Sequence, residues 1–140
     1  MRHTMPTIYR SMRSDGAYPQ CGAAKTMLGV KIGDDIQSDA DGMVHPRRGG
    51  MSVAPTWRDL PAHRIPRRLR ERCPKAAGND SVCCWRMGEG QFADGIIGID
   101  LAIRVDRPTH GVIEPARKFS AEVFQTALEN TRTAWRIDES

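Results

Sequence analysis

The chain is 140 residues long and carries 21 Lys plus Arg against 17 Asp plus Glu, a formal charge of +4. This length suits one domain, 1–140, around one core, since a domain of about this size buries roughly two-thirds of the surface its unfolded chain exposes. Met1 to Arg10 has no apolar run of signal-peptide length, and the longest later apolar stretch, Ile96 to Val105, is broken by Gly98, Asp100 and Arg104, so neither a leader nor a membrane span is expected. Folding in a reducing cytoplasm is the expectation, with export by a machine that reads no N-terminal signal as the other route.

Thr7 to Met12 reads as a strand that ends in the turn Ser14-Asp15-Gly16. Tyr18 to Gly42 is rich in Gly and Asp around one apolar patch, Met27-Leu28-Gly29-Val30, and reads as a loop or short helix. Gly42 to Val53 holds Met43-Val44 and Met51-Ser52-Val53 on either side of Pro46 and Gly49-Gly50, a hairpin-like or bent-strand pattern in which glycine permits close backbone approach. Val82 to Met87 and Ile96 to Val105 read as strands, the second from the alternation of Ile97, Ile99, Leu101, Ile103 and Val105. His110 to Ile113 is a further short strand, stopped by Pro115. Ser120 then caps a helix of about four turns that places Phe124, Leu128, Thr131 and Trp135 on one face. The sum is an α+β domain of short strands in a split or bent sheet plus a C-terminal helix, with long connections at Ser14–Gly42 and Ala54–Ser81 of the kind that form lids or binding loops.

Positive charge gathers in one of those connections, where Arg58, Arg64, Arg67, Arg68, Arg70, Arg72 and Lys75 face only Asp59 and Glu71. Such a segment is either a solvated basic surface or a face for nucleic acid, a nucleotide or an acidic protein. Pro61, Pro66 and Pro74 prevent one long basic helix, and Trp57 is its only aromatic platform. The cysteines Cys21, Cys73, Cys83 and Cys84 form no Cys-x-x-Cys pair, and the four histidines are scattered, so no metal site is expected. Neither a Gly-x-x-x-x-Gly-Lys loop nor a Gly-x-Gly-x-x-Gly fingerprint is present.

Three short motifs carry the polar groups. In Ile8-Tyr9-Arg10, alternation puts Tyr9 and Arg10 on opposite faces, and a planar guanidinium on a rigid strand can hold a phosphate bidentately, or simply stand exposed. In Gly49-Gly50-Met51-Ser52-Val53 a hydroxyl follows two residues without side chains, so a ligand can meet amide and hydroxyl together. The absence of Gly-x-Ser-x-Gly favours positioning, or a turn serine, over nucleophilic attack. In His110-Gly111-Val112-Ile113-Glu114-Pro115 a carboxylate at a strand end can stabilise an oxocarbenium-like centre, while His110 can bond a ribose hydroxyl or fill a turn.

Taken in order, Ile8-Tyr9-Arg10, Asp41-Gly42-Met43-Val44-His45-Pro46 leading to Gly49-Gly50-Met51-Ser52-Val53, and Thr109-His110-Gly111-Val112-Ile113-Glu114-Pro115-Ala116 before a helix, the chain resembles the small ADP-ribosyltransferase-fold toxins among type VI secretion effectors. The resemblance implies a toxin that uses NAD as substrate in a bacterial cytoplasm, passes ADP-ribose to a macromolecule or to water, and is restrained by an immunity protein. It implies Arg10 as the NAD grip, Ser52 with Met51 in the nicotinamide pocket, Glu114 as promoter of bond cleavage, Tyr9 or Trp57 as a stacking ring, and His110 on a ribose. Two positions depart from the wider transferase pattern: Gly-Met-Ser-Val replaces Ser-Thr-Ser, and Val112 stands where arginine-modifying members carry Gln or Glu, so arginine is not implied as the target. The rival expectation is a non-enzymatic protein that binds nucleic acid or an acidic partner through Arg58–Lys75.

Overall fold

Residues 5–140 are described by a computed structural model. Strand β1 (Ile8–Asp15) is the centre of the first sheet, between β6 (Val82–Met87) and the two-residue β2 (Tyr18–Pro19), with β11 (Arg136–Ile137) outside β6. A second sheet orders β5 (Met51–Val53), β9 (His110–Pro115), β8 (Leu101–Arg107) and β7 (Gly95–Ile97). A third places β4 (Met43–Gly49) between β10 (Phe119–Ser120) and β3 (Ile36–Ser38). All the strand pairings are antiparallel. The first and second sheets touch at a single bridge, where Tyr9 N donates to Ala54 O at 2.8 Å and Ala54 N donates to Tyr9 O at 3.0 Å. Beyond that bridge β1 and β5 part, which is the split.

Alternation along the strands sorts the core. Ile8 and Met12 of β1, Trp85 and Met87 of β6, and Met51, Val53, Leu101, Ile103 and Ile113 of the second sheet enter one apolar cluster with Val44, Phe124, Leu128 and Trp135. The opposite face of β1 and β6 contributes Tyr9 and Cys84 to a second cluster, with Trp57, Leu60, Ile65, Leu69 and Ala76. The basic connection therefore has an apolar underside, wound through three 3₁₀ turns, Trp57–Asp59, Ala62–Arg64 and Arg67–Leu69. All four cysteines are free, and burial, reinforced by nearby Glu139, pushes the Cys84 thiol up to about 12.

Three sequence expectations change in detail. Ile96 to Val105 is a hairpin rather than one strand: Gly98 adopts φ +67°, the chain turns through Gly98–Asp100, and Ile99 stands out in solvent at 84 % exposure. Tyr18 to Gly42 contains β2 and β3 and no helix. The helix α1 (Ala121–Glu129) is shorter than its apolar pattern, because Asn130 caps it and the chain tightens into a 3₁₀ turn at Arg132–Ala134. Ser120 caps its start by accepting from Val123 N at 3.1 Å, and Trp135 still reaches the core, donating to Thr131 Oγ1 at 2.9 Å.

The last residues are tied into the basic connection. Glu139 receives both arms of Arg68 at 2.7 Å each, and its Oε2 accepts from Cys84 N at 3.0 Å, while Asp138 accepts from Tyr9 Oη at 2.9 Å and Arg86 Nη1 at 3.2 Å. Bonds from Ser140, Tyr9 and Arg86 outweigh burial and hold the Asp138 carboxyl well below the usual carboxylate range. Burial raises the Glu139 carboxyl, but Arg68 and the Cys84 amide more than offset it. Both groups are thus more acidic folded than unfolded, where about 4 is ordinary. Their stabilisation is complete above that value and is lost as pH falls through the lowered folded values. Acid titration of stability should show a decline below about pH 4 that is shallower in Asp138→Asn, measured by urea unfolding at each pH. Phe124→Ala, a large truncation in the core, should cost about 3–5 kcal/mol by the same assay.

Candidate active site

Where β1 and β5 part, a buried guanidinium fills the gap. Arg10 Nη1 donates to Ser52 O at 2.9 Å across the seam, Nε donates to Met27 O at 3.2 Å, and Nη2 donates to Met27 O at 3.1 Å and Lys25 O at 3.2 Å. A guanidinium has five N–H donors, so these four contacts leave one on Nη1 uncommitted. No carboxylate pairs with Arg10 among the described residues. Burial lowers its pKa to about 10, with nearby Asp35 raising it and Arg64 lowering it, so the group remains a cation at neutral pH.

Above this floor opens a cleft of about 420 Å³, inside the usual range for small-molecule sites. Arg10, Lys25, Arg64, Lys75 and Arg107 reach it, against two carboxylates, Asp35 and Asp59. Asp35 is already engaged: it pairs with Lys25 and accepts from Lys31 N at 2.7 Å. Both long connections supply the rim, the first through Lys25 and Asp35, the second through Asp59, Pro61, His63, Arg64 and Lys75. Gly49 makes the first of these possible. Its φ of +109° and its approach to Asp35 O, which an added Cβ would meet at 2.3 Å, let the Asp35 turn close over the end of β4.

Ser52 is the outward residue of β5, flanked by buried Met51 and Val53, and it lines the cleft. Register places it opposite Val112, so Ser52 shares one sheet face with His110, Val112 and Glu114 of β9 and with Ala102 and Arg104 of β8. His110 also lines the cleft, and its Nδ1 lies 2.7 Å from Asp106 Oδ1. Burial raises the Asp106 carboxyl, but the bond and charge of His110 more than offset this and leave it below its ordinary value.

Of the residues expected from sequence, Arg10, Ser52 and His110 come together in the cleft, and four do not line it. Met51 points into the core at 1 % exposure. Tyr9 lies in the second apolar cluster with its hydroxyl on Asp138, and Trp57 is buried there too, donating from Nε1 to Ser140 O at 3.0 Å, so neither ring is free to stack. Glu114 is buried beneath β4. Its Oε1 accepts from Arg104 Nε at 2.6 Å and its Oε2 accepts from Arg47 N at 3.1 Å. That second bond is reached through a left-handed Arg47, φ +69°.

Lys25, Asp35, His63, Lys75 and Arg107 also line the cleft, and none of them is expected as a site residue from the sequence. They sit in loops or at a strand end, where neither periodicity nor motif marks them. The one available signal was the charge of the basic connection. In the fold that connection is divided: Arg64 and Lys75 face the cleft, while Arg58 stacks on Trp57 at 4.3 Å, Arg70 donates to Ala76 O at 2.8 Å, and Arg68 and Arg72 hold the chain at Glu139. Most of its arginines are therefore committed to internal partners rather than to an open nucleic-acid surface.

Split sheet and cleft define a small α+β domain whose cleft, with five cationic side chains against two carboxylates, suits an anionic ligand. A model of the family described as Tse2 ADP-ribosyltransferase toxin matches residues 7–139, nearly the whole chain, and the chain belongs to that family. No curated protein matches it. It is an NAD-dependent bacterial toxin with ADP-ribosyltransferase activity, and NAD is its substrate. No helix among the described residues is long and apolar enough to cross a membrane.

An ammonium cannot span three carbonyls as the Arg10 fork does. Arg10→Lys should therefore lose at least about 2 kcal/mol of stability, from charged hydrogen bonds worth about 1.5–3 kcal/mol each. Urea unfolding checks the loss, and hydrogen exchange should show it as faster opening at Leu28 N and Ala54 N.

Proposed function

We propose that NAD lies in this cleft with its pyrophosphate against Arg64, Lys75 and Arg107, over the remaining N–H of Arg10, and with its nicotinamide ribose against Ser52 and His110. The observation that carries the reading is the convergence of Arg10, Ser52 and His110, from three separate strands, on one cleft whose cations outnumber its carboxylates. Pre-placed positive charge fits a pyrophosphate, because a charged donor bonds an anionic oxygen more strongly than a neutral one does. In this reading Arg10 contributes charge and one donor rather than a bidentate grip. Met51 and Tyr9 act from behind, anchoring β5 and β1. Glu114 is proposed as the carboxylate that balances charge developing on the ribose. It shares the face of Ser52 and His110, and its pairing with Arg104 must open for the carboxylate to meet substrate.

Residues 1–140 are proposed as a single toxin domain, delivered by a type VI secretion machine into the cytoplasm of a competing bacterium. An immunity protein with an acidic face would close the cleft, complementing Arg64, Lys75 and Arg107. The ADP-ribose acceptor is a macromolecule or water. The nucleic-acid alternative draws no support from the structure, since the basic connection spends most of its arginines internally.

Inducible expression in a bacterial cytoplasm, with growth and cellular NAD followed together, tests the reading. Wild type should arrest growth as NAD falls. The double variant Arg64→Glu/Lys75→Glu should do neither, and in purified form it should bind NAD at least about tenfold more weakly, 1.4 kcal/mol. Unchanged NAD affinity in that variant sinks the cleft assignment. For Glu114→Ala, loss of both effects in a protein of normal fold supports the catalytic role, whereas continued arrest and NAD loss leaves Glu114 as a strand-end anchor for Arg104.

A further inference from the structure

The turn between β8 and β9 joins His110 to a carboxylate, Asp106, that NAD binding alone does not use. Asp106 and His110 are four residues apart, Arg107 pairs with His110 across the turn after a bulge, and the Asp106 Oδ1 to His110 Nδ1 distance is 2.7 Å. An ionised carboxylate can only accept, so Nδ1 carries the proton of this bond and the neutral ring keeps its lone pair on Nε2. Nε2 has no hydrogen-bond partner among the described residues, and the ring lines the cleft beside Thr109 and Arg107. One edge of the imidazole is thus held by a carboxylate and the other is left free at the substrate site. That is the arrangement in which a histidine accepts a proton from a reacting hydroxyl.

We propose that Asp106 is the positioning residue that fixes the tautomer and orientation of His110, and that His110 Nε2 takes the proton of the acceptor's hydroxyl during ADP-ribose transfer. This rests on NAD occupying the cleft as proposed above. The bond from the ribose C1′ to the nicotinamide nitrogen breaks, and its electron pair leaves with neutral nicotinamide. The acceptor oxygen, of a hydroxyl-bearing macromolecule or of water, gives a lone pair to C1′. Its proton passes to Nε2, which becomes cationic beside Asp106 and returns the proton to solvent. Asp106 favours that cation without touching substrate. The step makes no demand on Glu114, so the two assignments stand or fall separately.

The test uses the purified full chain, NAD labelled in its nicotinamide, and clarified bacterial extract as the source of acceptors. Equilibrium affinity for NAD and the rate of nicotinamide release are measured for wild type, His110→Ala, Asp106→Asn and Asp106→Glu. His110→Ala should slow release by about 10²–10⁴-fold, the usual worth of a positioned proton acceptor. Asp106→Asn should slow it by at least about tenfold, because an amide that donates to Nδ1 favours the tautomer with its proton on Nε2. Its NAD affinity and KM should stay within about twofold, and Asp106→Glu should recover part of the rate. Unchanged release in Asp106→Asn overturns the proposal, as does a loss of NAD affinity that matches the loss of rate. If wild type itself fails to bind NAD, or binds it equally well after Arg64→Glu/Lys75→Glu, the placement of NAD is what has failed. A melting temperature for Asp106→Asn equal to that of wild type excludes misfolding as the cause of a slow rate.

Discussion

A cation buried with no carboxylate partner among the described residues organises this molecule. Arg10 sits where two sheets separate, and it satisfies itself on backbone carbonyls from β5 and from the 25–27 turn. Carbonyl dipoles solvate the charge but do not cancel it, so the desolvated guanidinium keeps a positive potential at the cleft floor. The same contacts fix the distance between β1 and β5 beyond their single bridge, and so the width of the cleft itself. Arg10 thus sets the width of the cleft and places a positive charge at its floor, to which Arg64, Lys75 and Arg107 add at the rim.

The second sheet arranges its polar side chains by register. A strand of three residues, β5, exposes one side chain, and its pairing with β9 decides that Ser52 meets the row of His110, Val112 and Glu114. A slip of one position would send Ser52 into the core and bring Met51 or Val53 to the cleft. Gly50 guards that register: an added Cβ would meet Ile113 O at 2.3 Å, so β5 can lie against β9 only with glycine there. Glu114 and His110 occupy opposite ends of one strand and meet different fates. The first is covered by β4 and paired to Arg104, while the second is held at the rim by Asp106.

Much of the strand architecture was readable because alternation is a local property. β1, β6 and β9 announce themselves in short apolar-polar runs, and Ser120 marks the helix start. Ile96 to Val105 misled for a physical reason: residues across a tight turn can keep an apparent alternation while Gly98 reverses the chain, which leaves Ile99 in water. The helix stopped short of its pattern because Leu128 and Trp135 both reach the core without a continuous helix between them. Arg10, Ser52 and His110 were legible because each lies on a strand within a motif of fixed order. Lys25, Lys75 and Arg107 were not, because they are brought together by loops whose paths depend on tertiary contacts. Tyr9 and Trp57 looked like stacking platforms, yet an aromatic residue in a small domain is as useful for closing a core, and here the second apolar cluster claims both.

The knot at the chain's last residues has a consequence for how this molecule would behave once trimmed. Asp138 and Glu139 occupy Arg68 and Arg86 and cap the amide of Cys84. Cutting the chain before Asp138 would remove two negative charges and release those arginines beside Arg58 and Arg72, turning a wired surface into a continuous basic one. A clipped molecule would hold polyanions more tightly than the intact one, and in a crude preparation it would imitate a nucleic-acid-binding protein.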